Sequence, residues 1–290
     1  MGRIFRKLLV CAVLMSNVFF CSAQDLLQGN KNWYSTYLYF KLGKRFFIDD
    51  YLLDGYDTQG HKFSFVQNDL AINYKVSKKL TAFIGCANYI YKWNPTFLSA
   101  YNNQVSRLGT ISFVRASVGL KYKFHFLKNF EMDQSLAFQS YYPSLEKYQS
   151  RIAYSNQLSF SSKKIVWSLT PFAQVGLYYY LNGIPSMYYD NDGQMSGYYS
   201  SDGLHRARIK FGIKMKPLKN NNKFGVIFYY CIQKEFNMNE LGGHDLNTSR
   251  NVPITEKQTV TYPFNNYNIY GVQLNFIFSK TAKKSTISHD

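Results

Sequence analysis

Residues 205–217 read HRARIKFGIKMKP, and charged and apolar side chains alternate along them. Successive side chains of a β-strand point to opposite faces, so this stretch predicts a strand with one cationic face and one apolar face. The cationic positions are Arg206, Arg208, Lys210, Lys214 and Lys216, and the apolar ones are Ala207, Ile209, Phe211, Ile213 and Met215. Such a strand needs an apolar environment on one side and water or polar partners on the other.

Aromatic residues are unusually abundant: the 290 residues include 26 Tyr, 24 Phe and 3 Trp, which is 18% of the chain. A ring with one wet end is favoured at a bilayer interface, so this content is typical of a membrane protein. The formal net charge of +17 is compatible with nucleic acid, anionic lipid or an anionic solute as a partner. The charge alone does not choose among these three.

The N-terminus has the three parts of a secretory signal peptide. A basic start is followed by an apolar run from Leu8 to Phe20 and by the small-residue ending Cys21-Ser22-Ala23. We expect residues 1–23 to be removed, with lipoprotein processing at Cys21 as a weaker alternative. No later apolar stretch is long enough for a membrane helix. The mature chain is therefore predicted to be either a secreted soluble β-protein or a membrane β-barrel.

Period-two alternation recurs along the chain and helical periodicity is scarce. Short Lys-containing turns alternate with long loops near residues 54–61, 94–105, 143–149, 183–203 and 237–265. This alternation of short turns and long loops is typical of an outer-membrane barrel. It is not expected of a soluble β-sandwich, whose strands are joined by Greek-key crossings. The predicted strands are near 33–42, 45–53, 62–76, 80–93, 106–126, 130–142, 150–161, 165–182, 204–217, 223–236 and 266–278.

The predicted fold is all-β: a transmembrane antiparallel up-and-down β-barrel over residues 24–278, followed by a polar tail over residues 279–290. Bacterial single-chain barrels have an even number of strands, so we expect about 12, within a range of about 10–14. The strand that the pattern does not resolve would lie in residues 25–32 or 237–265. The soluble β-sandwich remains the alternative fold.

The turn at Leu127-Lys128-Asn129 predicts two ion pairs in the lumen. It places His125 opposite Glu131 and Lys123 opposite Asp133. We interpret these pairs as an internal ion network, which a polar lumen is expected to contain, rather than as catalytic residues.

The cationic face of residues 204–217 has fewer acids across from it. A turn near Asn220 predicts these pairings: Lys214 with Gly225, Lys210 with Tyr229, Arg208 with Cys231 and Arg206 with Gln233. Only Glu235 supplies an acid nearby, unless Asp69 or a loop acid reaches across. With Arg115 and Lys121, which also face inward, these residues form a cationic lumen row. Its counter-charge would be a loop acid, lipopolysaccharide phosphates, or a passing anion, because rows of Arg and Lys select anions.

Cys86 and Cys231 are the two cysteines expected in the mature chain. Both are predicted on the inward face, on nearly opposite sides of the barrel, too far apart for a disulfide. We expect two free thiols. The scattered His and Ser residues predict no catalytic constellation, and no metal site or cofactor is expected.

Several motifs resemble uncharacterised outer-membrane barrel proteins of Bacteroidota, a family named for a domain of unknown function. The resemblance rests on Trp33, on the hairpin Leu70-Ala71-Ile72-Asn73-Tyr74-Lys75-Val76, on Phe83-Ile84-Gly85 with Tyr89-Ile90-Tyr91, and on Arg-x-Arg-x-Lys at 206–210. The final strand, 270–278, resembles the aromatic-ended signal of the barrel assembly machinery, although twelve residues follow it. The resemblance implies fold and location, namely the bacterial outer membrane, and no activity.

The leading functional prediction is a passive pore with an anion-favouring lumen, open to small anionic solutes. The alternative is a non-conducting barrel that serves as a membrane anchor, scaffold or assembly component through its loops. An outer-membrane hydrolase is a third and weaker possibility, and we expect a non-enzyme. Expected partners are outer-membrane lipid, lipopolysaccharide and the barrel assembly machinery. No nucleic-acid partner is expected, because export and an apolar outer face do not suit that role.

Overall fold

The computed structural model describes residues 30–58, 62–92, 110–127, 129–143, 148–161, 169–183, 186–189, 195–199, 202–217, 223–235 and 267–279. The predicted signal peptide and residues 280–290 of the tail lie outside these ranges. The described residues form thirteen β-strands: β1 Asn30–Lys41, β2 Phe46–Asp57, β3 Lys62–Lys75, β4 Leu80–Lys92, β5 Thr110–Leu127, β6 Phe130–Tyr142, β7 Tyr148–Phe160, β8 Thr170–Gly183, β9 Ser186–Tyr189, β10 Met195–Tyr199, β11 Gly203–Met215, β12 Phe224–Glu235 and β13 Tyr267–Ser279. Among them there is no helix long and apolar enough to cross a membrane.

Eleven of these strands form one closed barrel, in the order β1-β13-β12-β11-β8-β7-β6-β5-β4-β3-β2. They correspond to the eleven strands predicted from the alternation. Neighbours are antiparallel except at the closure, where β1 and β13 run parallel, from Asn30 opposite Asn268 to Lys41 opposite Ser279. The closure is parallel because an odd number of alternating strands brings the first and last together in the same direction.

The expected twelfth strand is not part of this barrel, since β1 and β13 pair directly. The barrel is accordingly mixed rather than wholly antiparallel. The two places proposed for the missing strand, residues 25–32 and 237–265, lie almost wholly outside the described residues. The additional strands β9 and β10 form a separate two-stranded sheet inside the predicted loop 183–203.

The two ends of the barrel differ. At the short-turn end, Ser77 organises the β3–β4 turn, where its Oγ accepts hydrogen bonds from the backbone N–H groups of Lys79 at 3.1 Å and Leu80 at 3.0 Å. Gly43 N donates to Phe46 O at 3.2 Å in the β1–β2 turn. The opposite end, called here the long-loop end, carries the connections over 93–109 and 236–266.

The outer surface of the barrel is mostly apolar. Each barrel strand carries at least one large apolar side chain that is exposed on this surface: Tyr34, Leu52, Leu70, Ile84, Val118, Phe138, Ile152, Val175, Phe211, Phe228 and Tyr270, in chain order. On β11, Phe211 is 41% and Ile213 is 44% exposed, while Lys210 and Lys214, on either side of this pair, point inward. The alternation therefore separates an apolar exterior from a polar and aromatic interior.

Candidate functional site in the barrel lumen

The inward face of the barrel gathers most of the predicted cationic row. Arg206, Arg208, Lys210 and Lys214 lie along β11, and Arg115 and Lys121 lie on β5. Lys216 differs, because β11 ends at Met215 and Lys216 is exposed beyond that end. The structure thus brings six of the seven residues of the row to the lumen wall.

The register between β11 and β12 corrects the predicted pairings by two residues. Arg206 lies opposite Glu235, Arg208 opposite Gln233, Lys210 opposite Cys231 and Lys214 opposite Ile227. The connection between the strands, from Lys216 to Lys223, is longer than the turn assumed near Asn220. The correction matters because it gives Arg206 a direct acidic partner.

At the short-turn end, the two predicted ion pairs are present and share an acid. Lys123 lies opposite Asp133 and His125 opposite Glu131. Lys123 Nζ is 2.5 Å from Glu131 Oε1 and 3.7 Å from Asp133 Oδ1, and His125 Nε2 is 3.1 Å from Glu131 Oε2. The side chains of Lys123 and His125 are 55% and 63% exposed, so the lumen is wet at this end.

Two further carboxylates lie in the lumen and pair with the cations of β5. Lys121 Nζ donates at 3.0 Å to Asp49 Oδ2, and Asp49 Oδ1 accepts a hydrogen bond from Tyr37 at 2.6 Å. Arg115 Nη2 is 2.9 Å from Asp69 Oδ2. Asp49 was not anticipated as a partner, because its contact with Lys121 reaches from β2 to β5 and depends on the curvature of the closed barrel.

A layer of arginine and tyrosine occupies the lumen toward the long-loop end. Arg206 Nε donates to Glu235 Oε1 at 2.8 Å, and Tyr180 OH donates to the same oxygen at 3.3 Å. Glu235 is only 1% exposed, so this ion pair is buried. Arg151, which sequence reasoning missed, donates from Nε to Gln139 Oε1 at 2.6 Å and from Nη1 to Tyr148 OH at 3.1 Å. The signal available in the sequence was the apolar neighbour Ile152, which lies on the exposed outer face and so implies that Arg151 points inward.

Aromatic faces meet those lumen cations that have no acid beside them. In the described part of the lumen, the cations without a carboxylate within 4.0 Å include Arg151, Arg208, Lys210 and Lys214. The Arg208 guanidinium carbon is 5.3 Å from the ring centroids of both Trp33 and Tyr178. Lys210 Nζ is 4.4 Å from the Tyr229 centroid, and Lys214 Nζ is 5.1 Å from that of Phe172. Cation–π contacts of this kind offset only part of a desolvated charge.

Side chains from every barrel strand fill the lumen toward the long-loop end. We call this set the lumen layer: Trp33, Leu53, Phe65, Tyr89, Arg115, Tyr141, Arg151, Tyr180, His205, Gln233 and Ile269, each between 0% and 8% exposed. One apolar cluster joins Trp33 to Phe172 and Tyr229, and a second joins Tyr89 to Tyr141 and Tyr180. Arg208 of β11 contacts a ring on the adjacent strand β8 and a ring on β1, three strands away in the other direction.

The two cysteines face different environments. Cys231 points into the lumen and is 1% exposed, as its predicted parity required. Cys86 is exposed, with the exposed residues Leu70 and Ala116 opposite it, so its predicted inward position is wrong. Strand β4 carries no charge between Thr81 and Tyr91 that would reveal its phase. Both thiols are free.

Metal ligation is not built into the described ranges, which contain no group of three or more His, Cys, Asp or Glu residues arranged to hold an ion. The chemistry that the lumen displays is cation–π contact, buried ion pairing and donation of N–H groups from arginine. No protein-family model matches this chain, and no curated protein is significantly similar to it.

Proposed function

We propose that the chain is an integral barrel of the bacterial outer membrane, of the kind that its motifs resemble. The apolar residues exposed on all eleven strands support this, because soluble monomers rarely expose a continuous apolar surface of such extent. The inward placement of the lumen cations supports it as well, since a cation on the lipid face at mid-bilayer costs about 2–4 kcal/mol. The longest connections between strands also lie at one end of the barrel, which is typical of outer-membrane barrels.

Within that membrane, the geometry best supports a non-conducting barrel that acts as an anchor or scaffold. The observation that carries this proposal is the lumen layer, in which all eleven strands contribute a buried side chain. Arg208 contacts this layer through Trp33 of β1 and also contacts Tyr178 of β8. Because the inward side chains fill the barrel, the long-loop end is the surface that we propose for binding partners. No catalytic step is proposed.

A passive anion-favouring pore is the second candidate. In the described part of the lumen, several cations have no acid nearby, which favours a pore of this kind because rows of Arg and Lys select anions. Diffusion of an anion through the barrel would require the lumen layer to rearrange. We therefore rank this candidate below the closed scaffold.

Planar-bilayer recording separates the two candidates. The folded full chain should give no steady conductance, whereas the double variant Trp33→Ala, Arg208→Ala should give one, because it removes two large inward side chains that contact each other across the lumen side of β12 and β13. Conductance by the double variant also serves as the control, because it shows that the protein inserts into the bilayer under these conditions. A steady anion-selective current from the unmodified chain, reduced when Arg208 and Lys210 are neutralised, would replace the scaffold by the pore.

Location is tested separately by fractionation of cells that produce the full chain. Recovery from the outer-membrane fraction only with detergent is expected. Recovery in the soluble fraction without detergent would end the membrane proposal.

A further inference from the structure

Three guanidinium groups surround one tyrosine ring in the lumen. The guanidinium carbons of Arg151, Arg208 and Arg206 lie 4.7, 5.3 and 5.8 Å from the ring centroid of Tyr178. They come from the two strands that flank β8, because β7 supplies Arg151 and β11 supplies the other two. Three like charges around one ring repel each other, so the cluster needs negative charge nearby.

Among the residues that the structure describes, only one of the three guanidinium groups has a carboxylate partner. Arg206 pairs with Glu235. Arg208 donates to the neutral acceptors Gln233 Oε1 at 2.6 Å and Tyr178 OH at 3.3 Å. Within the described ranges, Arg151 likewise donates only to the neutral side chains Gln139 and Tyr148. Each guanidinium has five N–H donors, so both groups keep donors that these hydrogen bonds do not use.

The charge imbalance extends one step further along β11. Lys210 lies two residues after Arg208 on the same face and has no carboxylate within 4.0 Å in the described part of the barrel. Arg151 is 7% exposed, so its charge is largely removed from water. Burying cations without a counter-charge costs free energy that aromatic faces and amide oxygens offset only in part.

We propose that the lumen beside Tyr178 binds a small oxyanion, carrying a phosphate or a carboxylate group, between Arg151, Arg208 and Lys210. Arginine forks donate two parallel N–H groups and so suit both of these groups. Gln233 and Gln139 hold the two Nε atoms, which orients the forks. This site goes beyond the scaffold proposed above and does not require conduction through the barrel.

Access to the site is from the short-turn end. The lumen is wet there, as the exposure of Lys123 and His125 indicates. Lys214 and Lys210 lie in sequence on the inward face of β11 between that end and Arg208. A line of positive charge along a low-dielectric wall attracts anions toward the site.

The test measures binding to the folded full chain in neutral detergent, with inorganic phosphate and acetate as probes and chloride at equal ionic strength as reference. Isothermal titration and the unfolding midpoint are both recorded. We expect saturable binding of at least one probe. Arg151→Gln and Arg208→Gln should each weaken it about tenfold or more, because each removes a charge-assisted fork. Arg208→Lys should fall between Arg208→Gln and the unmodified chain, since it keeps the charge and loses the fork.

Lys79→Gln is the matched control, because it removes one positive charge at the exposed β3–β4 turn. It should leave binding unchanged. Heat-modified migration on gels verifies that each variant is folded. Absence of saturable binding to the unmodified chain, or equal loss in Lys79→Gln, would overturn the proposal. Binding that appears only after deletion of residues 237–265 would overturn it too, because a loop acid would then hold the position.

Discussion

Tyr229 of β12 covers Gly271, its direct partner on β13, so closely that the glycine cannot carry a side chain. A Cβ added at Gly271 would lie 1.9 Å from Tyr229 Cζ. The same relationship recurs at three other register pairs across the inner wall: Gly55 with Phe65, Gly119 with Phe83, and Gly212 with Phe172. A ring that lies flat on a glycine covers the bare backbone and fixes the strand register. These pairs let large rings line the lumen.

Gly271→Ala should therefore lower the free energy of unfolding by about 1–3 kcal/mol, the usual cost of overpacking. The reason is that the Tyr229 ring must leave the wall and enter space that Trp33 and Ile269 occupy. Urea unfolding of the chain in lipid vesicles measures the change.

Gly225→Ala is the control for the glycine prediction, because the nearest atom to its added Cβ is Met215 O at 3.4 Å, an ordinary contact. Its effect should stay within about 0.5 kcal/mol. Equal destabilisation by both variants would show that the ring over Gly271 has no special role.

The buried pair of Arg206 and Glu235 should be far more sensitive than the exposed pair of Lys123 and Glu131. Arg206→Gln leaves a carboxylate that is 1% exposed without its cation, so we expect a loss of about 3–5 kcal/mol. Lys123→Gln should cost about 0–1 kcal/mol, because the Lys123 side chain is 55% exposed. Unfolding free energies of the two variants are compared under the same conditions.

A double variant checks the cause of that loss. Replacing both Arg206 and Glu235 by Leu should recover much of the stability, since no buried charge then remains unpaired. A double variant as unstable as Arg206→Gln would mean that packing against Tyr178 and Tyr180, rather than charge, sets the cost.

Much of the barrel could be predicted because alternation is a local signal. The faces of β11 and the pairs Lys123–Asp133 and His125–Glu131 follow from parity and from one short turn. Contacts that depend on closure could not be read in this way. Lys121 meets Asp49 three strands away, and Arg208 meets Trp33 across the β11–β12–β13–β1 arc. The alternation indicated eleven strands, and the expected twelfth came from the rule of an even strand number, because a parallel closure leaves no local mark in the sequence.

Asp50 provides a test of the outer surface. It lies on the outward parity of β2, opposite Leu38 and Leu70, and its Oδ1 has no hydrogen-bond partner. If lipid surrounds this face, Asp50→Leu should raise the free energy of unfolding in vesicles by about 1–2 kcal/mol, because a carboxylate on the lipid face is destabilising. Asp69→Leu is the opposite case and should destabilise, since it removes the partner of Arg115. A loss of stability in Asp50→Leu would indicate that this face meets water or a polar partner.

Cys86 reports on the same surface by chemical labelling. The protein itself leaves Cys86 exposed and covers Cys231, so only lipid can shield Cys86 from a reagent in water. A charged maleimide should label neither thiol of the folded chain in vesicles and both thiols in urea, because a thiolate forms poorly in an apolar environment. Lys79→Cys, at the exposed β3–β4 turn, is the positive control and should react in the folded state. Rapid labelling of Cys86 in the folded chain would place it in water and contradict a lipid-facing β4.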